Sequence, residues 1–242
     1  MAQTYGPKYP GIQDGLVFSF DPKNRDCWKG GLTNVNNIVR GTSGSMSGLG
    51  ASGVDGAITS EGYIHWDGTD SYAAMEDTNT SLGLVGTNQM SATFWANSDG
   101  SQSSWATPFG ATNSNAFTDG WAFYNLSNKL YFFVEHYTSY DVVADANIPT
   151  AGTWFSVTGV YDGTLGSANV KMYVNGVQQS STANFTGNIT QDSTNGVFLG
   201  RPTGYAGYYW DGKAGPCMIW NRPLSAGEVL TNYNRLKGRF GL

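Results

Sequence analysis

Residues 215–242 (GPCMIWNRPLSAGEVLTNYNRLKGRFGL) join a short apolar run, 217–220, to the one well-marked helix start in the chain. Ser225 and Glu228 have the S-x-x-E spacing of a capping box. In that motif the hydroxyl accepts from an early helical amide and the carboxylate reaches back to the cap residue. Leu224 and Val229 stand where a hydrophobic staple clamps the start of a helix, and Gly238 can close its far end. An otherwise all-strand chain that finishes with one short capped helix is confined to a small set of folds.

The rest of the chain reads as strands. Apolar or alternating runs at 16–20, 63–66, 90–95, 121–124, 130–134, 154–161, 170–174, 197–199 and 217–220 are separated by Gly, Asn, Asp and Ser, the pattern of a sandwich or closed barrel. Asn175-Gly176, between Val174 and Val177, is the strongest hairpin signal, because both residues tolerate the positive φ of a type I′ turn. The polar arm that follows, 177–185, suits an outer or edge strand. Residues 41–57 (GTSGSMSGLGASGVDGA) lack periodicity and are expected to form a loop or insertion. No solenoid or propeller repeat is visible. The expected organisation is an extended N-terminal arm at 1–14, lying on the surface or on a neighbour, followed by a single domain at 15–242.

Composition agrees with this and excludes several functions. Charged residues make up only 13% of the 242 residues, with 14% aromatics and 33 glycines, so little material is left for solvated helix faces, and Ser, Thr, Asn and Gly must build the surface. A net charge of −5 without a Lys/Arg cluster argues against nucleic acid, which requires a basic stripe. No apolar run reaches the length of a membrane span. The opening MAQTYGPKYPGIQDG lacks the basic and apolar regions of a secretory signal, so the expected site of synthesis is the cytoplasm. Two cysteines, Cys27 and Cys217, fit either buried thiols or a bridge between the ends, and without an export signal thiols are the simpler reading.

Several blocks, in order and spacing, resemble the laminin-G-like branch of the concanavalin A-like jelly rolls. They are GLVFSFD (15–21), YIHWDGTDSYA (63–73), QMSATFW (89–95), WFSVTGVYDG (154–163) with VKMYVNG (170–176), and 199–201 with 211–234. The resemblance spans roughly residues 15 to 238 and implies an all-β, two-sheet antiparallel jelly-roll sandwich with one short C-terminal helix. The ends, DGLVFSFD and NYNRLKGRFGL, are similar to those of virion proteins of marine tailed phages.

Relatives in that superfamily include glycan hydrolases, which place two carboxylates across the scissile bond, typically within an E-x-D-x-x-E pattern. The glutamates Glu61, Glu76, Glu135 and Glu228 form no such pattern. Glu228 is accounted for as a cap, and Glu135 and His136, being adjacent, would point to opposite faces of a strand. Neither His65 nor His136 lies near a nucleophile elbow. Catalysis is therefore not expected. Cysteine and histidine are too few and too scattered for zinc. Calcium would draw on Asp67, Asp70 and Asp211 beside their glycine turns, and the resemblance implies a cation bridging such an Asp-Gly loop. Asp67 could equally form an Asx-turn ahead of Gly68.

Exposed aromatics beside amide or guanidinium donors would stack on sugars. Tyr205, Tyr208, Tyr209 and Trp210 (in GRPTGYAGYYWDG) form the densest group, and Tyr137 and Tyr140 (in HYTSYD) a second. Half of these rings could instead be core, since adjacent strand residues alternate faces, or they could meet a protein partner. The expectation that follows is a non-catalytic phage virion surface protein, a capsid decoration or an appendage subunit, held to other virion proteins and open to homo-oligomerisation. Its rival is a lectin-like module that binds host-surface glycans, with a glycan hydrolase far behind.

Overall fold

The computed structural model describes residues 11–29, 33–50, 60–112, 119–135, 145–190, 196–202 and 206–242. Two antiparallel sheets face each other. One has the order β1 (Leu16–Phe20), β15 (Asp211–Trp220), β6 (Gln89–Ser98), β11 (Trp154–Asp162), β12 (Val170–Val174), β13 (Val177–Ala183), and β4 (Ile64–Asp67) also pairs with β15. The other runs β10 (Asp145–Asn147), β9 (Lys129–Val134), β8 (Trp121–Leu126), β7 (Phe109–Ala111), β14 (Phe198–Leu199), β5 (Tyr72–Met75), β3 (Ser43–Ser47), β2 (Asn34–Asn36). This is the jelly-roll sandwich with one C-terminal helix that the sequence implies.

Period-two alternation places the core between the sheets. In β6, Met90, Ala92, Phe94 and Ala96 point inward, while Thr93, Trp95 and Asn97 point out. On the facing sheet one row, Met46, Ala73, Leu199, Phe109, Phe123 and Phe132, crosses six strands in register and is buried throughout. Phe94 and Phe123 meet across the interior at 4.9 Å. Gly159 in β11 lets the sheets approach, because a Cβ there would fall 2.5 Å from the Phe132 ring.

The C-terminal helix α1 (Ala226–Leu236) and the 3₁₀ turn Lys237–Phe240 form a third layer over the outer face of the seven-stranded sheet. Trp95 stacks on both Tyr233 (5.8 Å) and Phe240 (4.6 Å). The capping box is present, and Leu224 and Val229 are buried together. Arg222 adds two hydrogen bonds to Glu228 at 3.1 and 2.7 Å. The Arg222 contact, opposed by slight burial and helped by the Ser225 donors, holds the Glu228 carboxyl down at about 2.

Two expectations are corrected here. Gly238 does not end the helix; the chain continues through the 3₁₀ turn and stops at Gly241, where φ is 73°. The stretch 41–57 is not wholly a loop, since Ser43–Ser47 forms β3, with Met46 buried and the serines outside. Of the arm expected at 1–14, residues 11–14 are among the described residues and lie on the chain's own surface. Ile12 N–H donates to Asn232 Oδ1 at 2.7 Å, Trp220 Nε1 donates to the Ile12 carbonyl, and Arg235 donates to the Gly11 carbonyl. Residues 11–14 are thus tied to the chain's own helix side. Cys27 and Cys217 are buried and not joined in a disulfide, with Cys217 paired opposite Phe20 on β1.

Candidate functional site

The helix covers the outer face of one sheet, and the outer face of the other carries a second aromatic cluster. In β8 and β9 the residues between the core positions, Ala122, Tyr124, Tyr131 and Phe133, point outward. They continue a cross-strand row: Asn34, Ser45, Ala74, Phe198, Gly110, Ala122, Phe133. At about 4.8 Å per strand, this row is roughly 29 Å long.

Its two ends differ in chemistry. Over β2, β3 and β5 lies an open groove of about 620 Å³, lined by Asn34, Asn36, Ser43, Ser45, Glu76 and Lys29. These amides and hydroxyls donate and accept hydrogen bonds, with only one charge of each sign among them. Over β8 and β9 three rings stack: Trp105 on Tyr124 at 5.4 Å and 20°, and Tyr124 on Tyr131 at 5.1 Å and 12°. Tyr124 is only 3% exposed, while Trp105 and Tyr131 are half-exposed. Tyr208 approaches Trp105 at 6.3 Å. Between groove and stack, the Arg201 guanidinium lies 3.8 Å from the Tyr72 ring centre and 5.0 Å from that of Tyr209, a cation–π arrangement.

The Trp105 loop is fixed from below. Trp105 has φ of 71°, an uncommon conformation for a bulky residue that its surroundings must impose. The buried Asn125 side chain donates to the Gln102 and Ser103 carbonyls at 3.2 and 2.8 Å. Trp105 N–H donates to the Asn125 carbonyl and Thr107 N–H to the Tyr208 carbonyl. The two ring-bearing loops are therefore bonded to each other as well as to β8.

Of the aromatics singled out from sequence, Tyr208 and Tyr209 belong to this face and are half-exposed. Trp210 does not: it is fully buried in the central core, because it alternates inward from Tyr209. Tyr205, Tyr137 and Tyr140 lie outside the described residues. The sequence reading missed Trp105, Tyr124, Tyr131 and Tyr72. Tyr124 and Tyr131 were visible as outward positions of the recognised runs 121–124 and 130–134, but Trp105 sits alone in SQSSWATP.

Of the two expectations for Asp67, the structure shows the Asx-turn. Asp67 and Asp211 face each other across β4 and β15. Asp67 Oδ1, however, accepts from the backbone of Thr69, Asp70 and Ser71 and from the Ser71 hydroxyl, which is an Asx-type turn. Slight burial works against ionisation of Asp67, but these donors overcome it and hold its carboxyl well below the usual range. Asp70, sharing a hydrogen bond with Asp67 and facing its charge, is raised. The group whose donor atoms converge among the described residues is instead His65, Asp99 and Asp211, all within 4.8 Å of one another. Burial, and then the Asp99 charge, pushes the Asp211 carboxyl up, with His65 opposing.

Glu135 is 4% exposed, and its oxygens accept from Gly120 N–H, Thr190 N–H and the Thr190 hydroxyl. Burial raises its carboxyl despite these bonds. It pins the end of β9 to the segment after β13.

A family profile described as the Concanavalin A-like lectin/glucanases superfamily matches residues 67–230. No curated protein sequence matches the chain. Among solved structures, the chain is similar to domain 4 of AbnA, an extracellular arabinanase from Geobacillus stearothermophilus, in complex with arabinotriose. That similarity has a TM-score of 0.63 at 19% identity and covers 92% of this chain and 100% of that one. It also resembles the binding domain of Botulinum Neurotoxin DC in complex with SialylT, with TM-score 0.63, 14% identity, and 92% and 52% covered. A Trypanosoma rangeli sialidase in complex with the inhibitor DANA gives TM-score 0.60 at 10% identity, over 92% of this chain and 33% of that one. At these identities the likeness is one of fold.

Proposed function

The chain belongs to the concanavalin A-like lectin/glucanase superfamily, and from that premise we propose that it is a non-catalytic carbohydrate-binding module. Its recognition surface is the open outer face of the eight-stranded sheet. One observation carries this: the helix layer covers one outer face, while the other sets a supported aromatic stack in line with a groove of amides and hydroxyls. Flat rings take the apolar face of a sugar, and uncharged donors and acceptors take its hydroxyls. The arabinotriose and SialylT complexes of its structural neighbours support the same class of ligand. Two of the four glutamates fit a non-catalytic reading, since Glu135 is enclosed by donors and Glu228 is held as a cap.

The test is a glycan array followed by calorimetry on the best ligand. Trp105→Ala and Tyr131→Ala should each weaken binding about tenfold, the scale of one stacked ring. Leu230→Ala, on the exposed side of α1, should change nothing. Equal affinity in all three variants would refute the assignment of this face. Release of reducing sugar from the bound glycan would refute the non-catalytic part.

The setting we propose is a phage virion surface, as a capsid decoration or appendage subunit. Its support is the likeness of the two chain ends to virion proteins and the uncharged polar surface. Because residues 11–14 are bonded to the chain's own helix, attachment through an arm falls to residues 1–10. Deleting residues 1–10 should abolish incorporation into particles and leave the melting temperature unchanged; normal incorporation would remove the arm's role.

A further inference from the structure

We propose that His65, Asp99 and Asp211 form a binding site for one divalent transition-metal ion of the zinc type. The scarcity of histidine and cysteine argues against zinc from sequence, but folding brings one histidine to two carboxylates. Their donor atoms lie within 4.8 Å of one another, so modest rotations suffice to reach the 2.0–2.2 Å metal–ligand distances of such ions.

The three residues come from different segments whose positions are fixed. His65 on β4 lies opposite Lys213 on β15, and Ser98, just before Asp99, lies opposite Gly212. Ile64 and Trp66 are fully buried, so His65 between them faces outward. The nearly buried Gln102 clamps the Asp211 backbone on both sides, accepting from its N–H at 2.8 Å and donating to its carbonyl at 2.7 Å. Asp99 N–H donates to the same carbonyl at 3.4 Å. At Gly68 the β4 turn passes so close that a Cβ would fall 2.8 Å from Asp211 Cβ.

The chemistry selects the class of ion. His65 Nε2 and Asp99 Oδ2 lie within hydrogen-bond distance of each other, at 2.5 Å. As a metal ligand the neutral imidazole would carry its proton on Nδ1 and present the Nε2 lone pair to the ion. An imidazole nitrogen favours Zn²⁺, Co²⁺ or Ni²⁺ over the oxygen-seeking Ca²⁺ and Mg²⁺. Two carboxylates neutralise the charge of the ion, and water completes the shell. Lys213, opposite His65, places its ammonium 5.0 Å from the Tyr63 ring centre. Asp67 adds negative potential from the facing position.

The test uses the full chain without a histidine tag, stripped with chelator and titrated at neutral pH with Co²⁺, Zn²⁺ and Ca²⁺ separately. One Co²⁺ per chain should bind with a d–d absorption band, displaced by Zn²⁺, and Zn²⁺ should raise the melting temperature. His65→Gln should abolish the band, Asp99→Asn and Asp211→Asn should weaken Zn²⁺ binding at least about tenfold, and His136→Gln should leave it intact. The metal-free variants are melted first, so that a poorly folded one is set aside and the remaining two decide. No stoichiometric Co²⁺ or Zn²⁺ binding, or equal binding by His65→Gln, overturns the proposal. So does Ca²⁺ bound more tightly than Zn²⁺ and indifferent to His65, which would indicate an oxygen-only site.

Discussion

Asn125 supports the proposed binding face from beneath it, without belonging to its exposed rings. Its amide holds two carbonyls of the Trp105 loop from a fully buried position. Asn125→Ala leaves both carbonyls without that donor, at a cost of about 1–3 kcal/mol, and should weaken glycan binding by loosening Trp105. Chemical denaturation and calorimetry on the same variant check both effects. Glu228 makes a separate prediction. The Arg222 contact holds its carboxyl down to about 2, below the ~4.3 of an unfolded chain. The ionised cap therefore stabilises fully above pH ~4.3, and its contribution is lost as pH falls toward 2. Glu228→Gln should lower the melting temperature at neutral pH by a few degrees, the effect of about 0.5–1 kcal/mol at a partly exposed cap. Melts repeated down to pH ~2 should show the difference closing. At this scale the sequence was legible where chemistry is local: the Ser225–Glu228 box needs only four neighbouring residues. Trp210 was misplaced because three consecutive rings leave the inward position undetermined until register is known.

Elements were legible in proportion to how much apolar surface they bury. Strands β6, β11, β12 and β15 stand in the middle of a sheet, and their runs are apolar enough to read directly. The polar edges were not. In β2 and β3 only Val35 and Met46 turn inward among Asn and Ser, and such strands are defined by their partners more than by their own residues. The Asn175-Gly176 turn was legible for the opposite reason, since positive φ at both residues (51° and 79°) is itself the signal. The helix is legible from its cap, but its load is tertiary. Phe240 contacts Trp95 and Trp154 at 4.6 and 4.4 Å. Phe240→Ala should destabilise the fold by about 3 kcal/mol, the lower end for a buried aromatic, and bare indole surface beneath it should bind a hydrophobic dye.

For the whole molecule, the low charge content matters more than the net value of −5. A face built from rings, amides and hydroxyls has little Coulomb energy to screen. Affinity for a neutral glycan should therefore change less than about twofold between roughly 0.05 and 0.5 M salt, as calorimetry in the two buffers would show. A steep salt dependence would instead point to Lys29, Glu76 or Arg201 as the dominant contacts. The candidate face could not be assembled from sequence because its row draws one residue from each of seven strands: residues 124–131 hold Tyr124, Asn125 and Tyr131, but Trp105 and the polar groove come from distant segments. The same layering gives the molecule a front and a back. Arg235 holds Gly11 on the helix side and Leu242 closes the turn after the helix, so a passenger fused after Leu242 starts out behind the sandwich. A sensor or surface coating built on this chain could be glued down by its tail and still look outward.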